Sequence, residues 1–200
     1  MAGARRSVDA VLPLLTRRLI VREFVADDAP ALAALAADPR VREFAPLESR
    51  ALAAAQRAGR TRRGPRRSWE LAVVVRRSGR LIGACDLALG RRGEADLGYM
   101  LAPRHWGHGY GTEVARALVE LGFDALDLRR LSAIVAIENE RSRRVLENAG
   151  LRWESLLRRH VRAVGRSWDC HRYVIDRDGW QRGPALRRGT GSRIIGPKER

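Results

Sequence analysis

The chemistry open to this chain concentrates in eleven residues, Pro103-Arg104-His105-Trp106-Gly107-His108-Gly109-Tyr110-Gly111-Thr112-Glu113. Alternating glycines, Gly107, Gly109 and Gly111, stand between the strand-like run 95–101 and the helix-like run 112–125. Glycine tolerates positive φ and carries no side chain, so successive main-chain N–H groups can turn toward one anion. The free N–H groups and dipole at the start of the following helix reinforce them. The expected ligand is a phosphorylated cofactor held by its diphosphate.

Spacing separates this loop from other phosphate cradles. A dinucleotide fingerprint needs glycines at the first, third and sixth positions, but counting from Gly107 the sixth is Thr112. A P-loop needs Gly-Lys-Ser/Thr, and the one lysine of the chain is Lys198.

Arg104-His105-Trp106-Gly107-His108-Gly109 instead resembles the acyl-CoA-binding signature of the GNAT N-acetyltransferase superfamily, Gln/Arg-x-x-Gly-x-Gly/Ala. The resemblance extends to Ala95–Leu101 before it and to Asn139–Leu151 after it, and together these look like the RimJ/RimL-type branch. Leu15-Thr16-Arg17-Arg18-Leu19, Ala37–Val41 and Gly165–Asp169 are similar to that branch as well, so the likeness runs from Leu15 to Trp180. It implies an α/β GNAT fold with a mixed, mostly antiparallel central sheet of about seven strands and about four helices, whose splayed central strands form the acyl-CoA cleft.

Moving an acyl group from a thioester to an amine requires a held donor, a neutral amine, a polarised carbonyl and a proton for the departing thiolate. By resemblance the donor is acetyl-CoA, and no metal takes part. Trp106, Gly107, His108, Gly109, Tyr110, Gly111 and Thr112 would hold the diphosphate, with Arg104 adding charge. The strand end at Tyr99, Met100 and Leu101 would pair through its main chain with the pantetheine arm, and its N–H groups could face the oxyanion. The side chains of Tyr99 and Met100 receive no role. Asn139 would contact the pantetheine region and Ser142 would stand as general acid toward the CoA sulfur. Both residues are also good helix caps, and that reading stands beside the catalytic one.

Two residues compete for the general base. The family's usual Glu in Ala-Glu-Leu/Ile-Gly-Tyr is Asp96 here, one methylene shorter, so a bridging water is expected. The Glu of a closing Arg-Glu pair is replaced by His160 after Arg159, and imidazole is a competent base near neutrality. Asp96 also reads as a strand-edge charge and His160 as a surface residue. Deprotonating a lysine amine at pH 7 costs roughly 4.6 kcal/mol, an α-amine only about 1.4 kcal/mol. A sparsely furnished base site therefore favours α-amines, in line with the N-terminal acetylation of ribosomal proteins associated with the branch, which also includes enzymes acting on small amines, antibiotics and polyamines.

The 200 residues, 45% of them apolar, suit one domain with a sizeable core. No apolar stretch approaches the roughly 20 residues of a bilayer crossing, and the N-terminus lacks a signal peptide's apolar centre, so a cytoplasmic protein is expected, a monomer or homodimer with no membrane partner. Cys85 and Cys170 give neither a disulfide framework nor metal-ligand spacing, and Cys85 reads as a core residue. The formal charge of +16, carried almost entirely by arginine, suits an acidic peptide or ribosomal target and admits nucleic acid as a secondary partner. A non-catalytic acyl-CoA- or RNA-binding module of the same fold is the competing class.

Residues 1–14 read as a flexible arm, 15–180 as the domain, and 181–200, with net charge +5, as a disordered tail. Within the domain, a strand around Leu19–Phe24 precedes a helix from Ala29 to Ala37 that Pro39 ends, and an alanine-rich helix is expected over Glu48–Arg57 before the basic cluster Arg57–Arg67. Strands follow at Trp69–Arg76, Arg80–Leu89 and after the Gly90–Gly93 turn. After the loop come a helix over Thr112–Ala125, a strand over Leu131–Ile137, a helix over Ser142–Ala149, and a hairpin of Leu151–Val161 with Trp168–Ile175.

Overall fold

The computed structural model describes residues 11–44, 67–163, 166–182 and 193–194. The elements run β1 (Leu14–Leu15), β2 (Leu19–Glu23), α1 (Ala29–Ala37), α2 (Pro39–Arg42), β3 (Ser68–Val75), β4 (Leu81–Leu89), β5 (Glu94–Leu101), α3 (Tyr110–Glu120), β6 (Arg130–Ala136), α4 (Glu140–Asn148), β7 (Arg152–Ala163), β8 (Arg166–Asp176), α5 (Arg177–Arg182) and β9 (Arg193–Ile194). One sheet orders them β7-β8-β6-β5-β4-β3-β2-β1-β9, and every neighbouring pair is antiparallel except β5 with β6. Among the described residues the seven strands of five residues or more are those the sequence predicts, and the mixed, mostly antiparallel α/β fold is the expected one.

Period-two alternation sends Leu19, Val21, Leu71, Val73, Cys85, Leu87, Ala95, Leu97, Leu131, Ala133 and Val135 to the sheet face covered by α3 and α4. Ala72, Val74, Ala84 and Met100 form a smaller cluster on the opposite face with Leu32 and Leu35 of α1 and Val41 of α2. Burial pushes the Cys85 thiol well up, and both cysteines are buried free thiols, which makes Cys85 a core residue. Gly83 is required by close approach, because a methyl there would overlap the Met100 carbonyl oxygen across the β4–β5 pair.

Several elements depart from expectation. Pro39 ends α1 and also starts α2, where its missing N–H is harmless and Asp38 Oδ1 accepts from Arg40 N–H at 3.0 Å. The chain enters the fold before residue 15, since Val11 and Leu14, expected in a flexible arm, are buried in the main core. α3 starts at Tyr110 and widens over Leu121–Ala125 into a π-helical turn, with Leu126 N–H donating to Leu121 O at 3.1 Å. Gly122 there lets the turn rest on Leu131. A short helix, α5, follows β8 directly and buries Trp180 against Phe123, with ring centroids 5.2 Å apart. Arg193–Ile194, in the segment expected as a tail, pairs with β1. The expected helix 48–57 and most of the basic cluster that follows it lie outside the described residues.

Candidate active site

The splay is written in the register. β5 pairs with β6 only at Glu94↔Arg130, Ala95↔Leu131 and Asp96↔Ser132, after which β5 continues along β4 as far as Leu101 and β6 continues along β8 as far as Ala136. A gap therefore opens toward the C-terminal ends of both strands. Ala102 N–H donates to Ile82 O at 2.8 Å, so by antiparallel alternation Met100 and Gly98 turn their main chains to β4, while Leu97, Tyr99 and Leu101 turn theirs to the gap. Expected beside Leu101 at the pantetheine arm, Met100 is displaced by this register: its main chain faces β4 and its side chain is buried in the α1 cluster.

The Leu101 carbonyl is taken by the Trp106 indole Nε1–H at 2.7 Å, which folds the chain back into the glycine loop. Gly107 and Gly109 both have φ of 77°, the left-handed region where glycine is free of strain. None of the main-chain N–H groups from Gly107 to Thr112 donates to a protein acceptor among the described residues, and the last three open the first turn of α3. Such a run of unpaired donors with a helix dipole behind it suits a diphosphate.

A brace from the β1–β2 turn holds this loop. The Arg18 guanidinium donates through Nε to Glu113 Oε2 at 2.7 Å and through Nη1 to the His108 carbonyl at 2.9 Å, and it lies 4.4 Å from the Tyr110 ring centre. Glu113 Oε1 accepts from Arg18 N–H at 2.7 Å and from Thr16 Oγ1 at 2.6 Å. Burial is the largest single influence on the Glu113 carboxyl and pushes it up. The hydrogen bonds from Thr16 and Arg18, with the Arg18 charge, together outweigh burial and hold the carboxyl below its usual range. A lowered folded value means that the brace stabilises fully above the unfolded carboxyl's pKa and is lost as pH falls through the folded one. In thermal melts from about pH 7 down to about pH 3, the advantage of wild type over Glu113→Gln should shrink on the acid side. An advantage that stayed constant across that range would refute the assignment.

Across the gap, Asn139 Oδ1 accepts from Ser142 N–H at 3.1 Å and caps α4, so the capping reading of Asn139 is correct. Ser142 Oγ lies 2.7 Å from Tyr99 Oη, which also donates to the Ser142 carbonyl at 3.2 Å. Burial pushes the Tyr99 phenol far up, against a smaller lowering by Ser142. Arg141, one residue before Ser142, sits over the Trp106 ring at 5.2 Å. Side chains thus bridge the gap from β5 and the loop to the start of α4.

The remaining candidates are spread wider. Asp96 is exposed at the closed end of the gap, where its Oδ1 accepts from Ser132 Oγ. His160 is exposed in a bulge of β7 between Leu157 and Val161, where Arg159 has φ of 47° and donates its N–H to Asp169 Oδ1 at 2.7 Å. The register sets the two rows roughly five residues apart, about 16 Å along the strands, so the sheet does not bring them together. Arg104 donates from Nε to His105 Nε2 at 3.1 Å, turned onto its neighbour. Burial, then the charges of Arg104, His108 and Arg80, push His105 down, consistent with an imidazole that accepts this bond. Glu70 opposes Asp86 across β3 and β4, and Asp96 lies diagonal to Asp86, so three carboxylates share the α1-side face. Among the described residues no cluster of three or more His, Cys, Asp or Glu could hold a metal, and no helix is long and apolar enough to cross a membrane.

Sequence reasoning missed the Tyr99 side chain, Arg141 and the Arg18–Glu113 brace. One signal was available: a carboxylate in the first turn of an anion-binding helix has to be neutralised by a cation from elsewhere.

Comparison with known proteins agrees with this geometry. A family model described as an acetyltransferase (GNAT) domain matches residues 18–152. The uncharacterized N-acetyltransferase YoaA of Bacillus subtilis is 32% identical over 176 residues, covering 82% of this chain and 97% of YoaA. Among solved structures, Mycobacterium smegmatis RimJ in complex with CoA-disulfide superposes with a TM-score of 0.69 at 22% identity, covering 84% of this chain and 90% of that one. The spermidine N-acetyltransferase of Vibrio cholerae in complex with CoA and spermine gives 0.67 at 18% identity, covering 82% and 98%.

Proposed function

The chain belongs to the GNAT acetyltransferase family and is an N-acetyltransferase, and from that premise we propose that it transfers acetyl from acetyl-CoA directly to the N-terminal α-amine of a peptide or ribosomal protein. The observation that carries the donor half is the run of unpaired N–H groups from Gly107 to Thr112 beside the β5–β6 gap. In this reading the loop grips the diphosphate, and the main chains of Tyr99 and Leu101 pair with the pantetheine arm and polarise the thioester carbonyl. The amine attacks that carbonyl carbon, the C–S bond breaks, and the thiolate is met by the Ser142 hydroxyl backed by Tyr99. The amine's proton leaves to Asp96 through a water or to His160. Because the two lie far apart along the strands, this reading takes only one of them as the base, and the other contacts the acceptor or has no role.

The α-amine is favoured as acceptor because neither candidate base is braced by a charged group among the described residues, and an α-amine needs about 3 kcal/mol less for deprotonation than a lysine. A second reading, a small cationic amine, is favoured by Glu70, Asp86 and Asp96 sharing one face in a chain of net charge +16. Thiol release from acetyl-CoA should discriminate across a free-N-terminal peptide, the same peptide blocked and carrying lysine, a polyamine and an aminoglycoside. Turnover on the free α-amine at least about tenfold above the lysine peptide is expected. Preference for the polyamine would replace the acceptor class. Saturable acetyl-CoA binding with no turnover on any amine, or tight RNA binding in its place, would favour a non-catalytic module.

A further inference from the structure

We infer that Arg18 is a positioning residue for the acyl-CoA donor: it sets the direction of the loop's N–H groups and cancels the Glu113 carboxylate, which would oppose the diphosphate. This rests on reading Trp106–Thr112 as the diphosphate site and adds a residue 88 or more positions away in sequence from that loop.

The first part follows from peptide planarity. In a trans peptide the C=O and the next N–H point in opposite directions. Arg18 Nη1 holds the His108 carbonyl at 2.9 Å, so the Gly109 N–H is aimed away from Arg18. The Trp106 carbonyl is held in the same way by His108 Nδ1 at 2.7 Å; a carbonyl only accepts, so Nδ1 carries the proton, and the Gly107 N–H is turned outward. Glycines at positive φ have wide freedom, and without these two anchors the loop would sample orientations in which its donors diverge. Arg18 is wedged in place by the Tyr110 ring on one side and by Gly109, whose missing methyl would lie 3.4 Å from Nη2.

The second part concerns charge. Glu113 stands in the first turn of α3, where its carboxylate subtracts from the positive end of the helix dipole that the diphosphate would use. The ion pair with Arg18 at 2.7 Å removes that opposition. Arginine performs both tasks because its planar fork donates to two acceptors at once. A lysine ammonium placed on Glu113 would keep the neutralisation and lose the grip on His108.

The test measures donor preference. Acetyl-pantetheine carries the thioester and the arm but no diphosphate, so the ratio of kcat/KM for acetyl-CoA to that for acetyl-pantetheine isolates the loop's contribution. Arg18→Lys is expected to lower this ratio about tenfold, with a matching rise in the calorimetric Kd for acetyl-CoA. Arg18→Met, which also uncovers Glu113, should lower it further. A ratio within about twofold of wild type in Arg18→Lys, or equal losses on both donors, would overturn the inference. If Arg18→Met fails to fold, Arg18→Lys decides alone. Wild-type protein that takes up no acetyl-CoA would instead overturn the reading of the loop itself, and the two failures are told apart by that control.

Discussion

Gly109→Val should weaken acetyl-CoA binding by about a hundredfold while leaving a folded protein whose melting temperature drops by only a few degrees. Gly109 caps α3 with φ of 77° and ψ of 3°, and a β-branched residue is a clear outlier in that region. Holding it there costs of order 1–3 kcal/mol, so the loop would relax by rotating the peptides on either side. Those are the peptides whose N–H groups stand unpaired toward the proposed anion, so the strain falls on binding more than on the core. The added side chain would also start 3.4 Å from Arg18 Nη2 and push on the brace. Calorimetry with acetyl-CoA, set beside a thermal melt, separates the two effects. Affinity within about threefold of wild type would remove the main-chain cradle from the account.

What the sequence made legible, and what it hid, divides along the distance over which the causes act. The loop, α1 and the strands were readable because glycine spacing, a helix-forming run closed by Pro39 and period-two alternation are local. The splay was expected only by resemblance, yet it proves to be a register fact, three paired residues and then none. Proline's double meaning explains the missed α2: the same residue that cannot continue α1 is preorganised to begin a new helix. The π-helical widening after Glu120 was hidden because it depends on how Gly122 meets Leu131 from another element. Arg18 and Glu113 lie 95 residues apart, and nothing local to either announces the other. Tyr99 reads as an ordinary strand residue because alternation assigns it a face and says nothing of the helix start it will meet there. The two candidate bases were named by resemblance, and the register then separated them, a result beyond the reach of spacing along the chain.

Tyr99 also supplies the second large expectation, concerning the leaving thiolate. Ser142→Ala should lower kcat by about 10–100-fold with little change in acetyl-CoA affinity, the range for loss of a positioned proton donor. The cap of α4 would survive, because Asn139 accepts from the main-chain N–H of residue 142 and not from its hydroxyl. Tyr99→Phe should lower kcat by about tenfold, through the serine. With its phenol pushed up by burial, Tyr99 stays protonated throughout the working pH range and always keeps a proton to donate. When it donates to Ser142 Oγ, 2.7 Å away, the serine proton is left free to point at the sulfur. When it donates instead to the Ser142 carbonyl, 3.2 Å away, the serine is free to donate back to the phenol. The chemistry needs the first arrangement, and CoA thiolate as acceptor would draw the pair into it. Since Tyr99 acts through Ser142, the double variant should be no slower than Ser142→Ala alone, a non-additivity that a merely structural tyrosine would not produce. Neither substitution should introduce or remove a limb of the pH–rate profile near neutrality. Additive losses would make Tyr99 and Ser142 independent contributors, and full activity in Ser142→Ala would move the proton donor elsewhere.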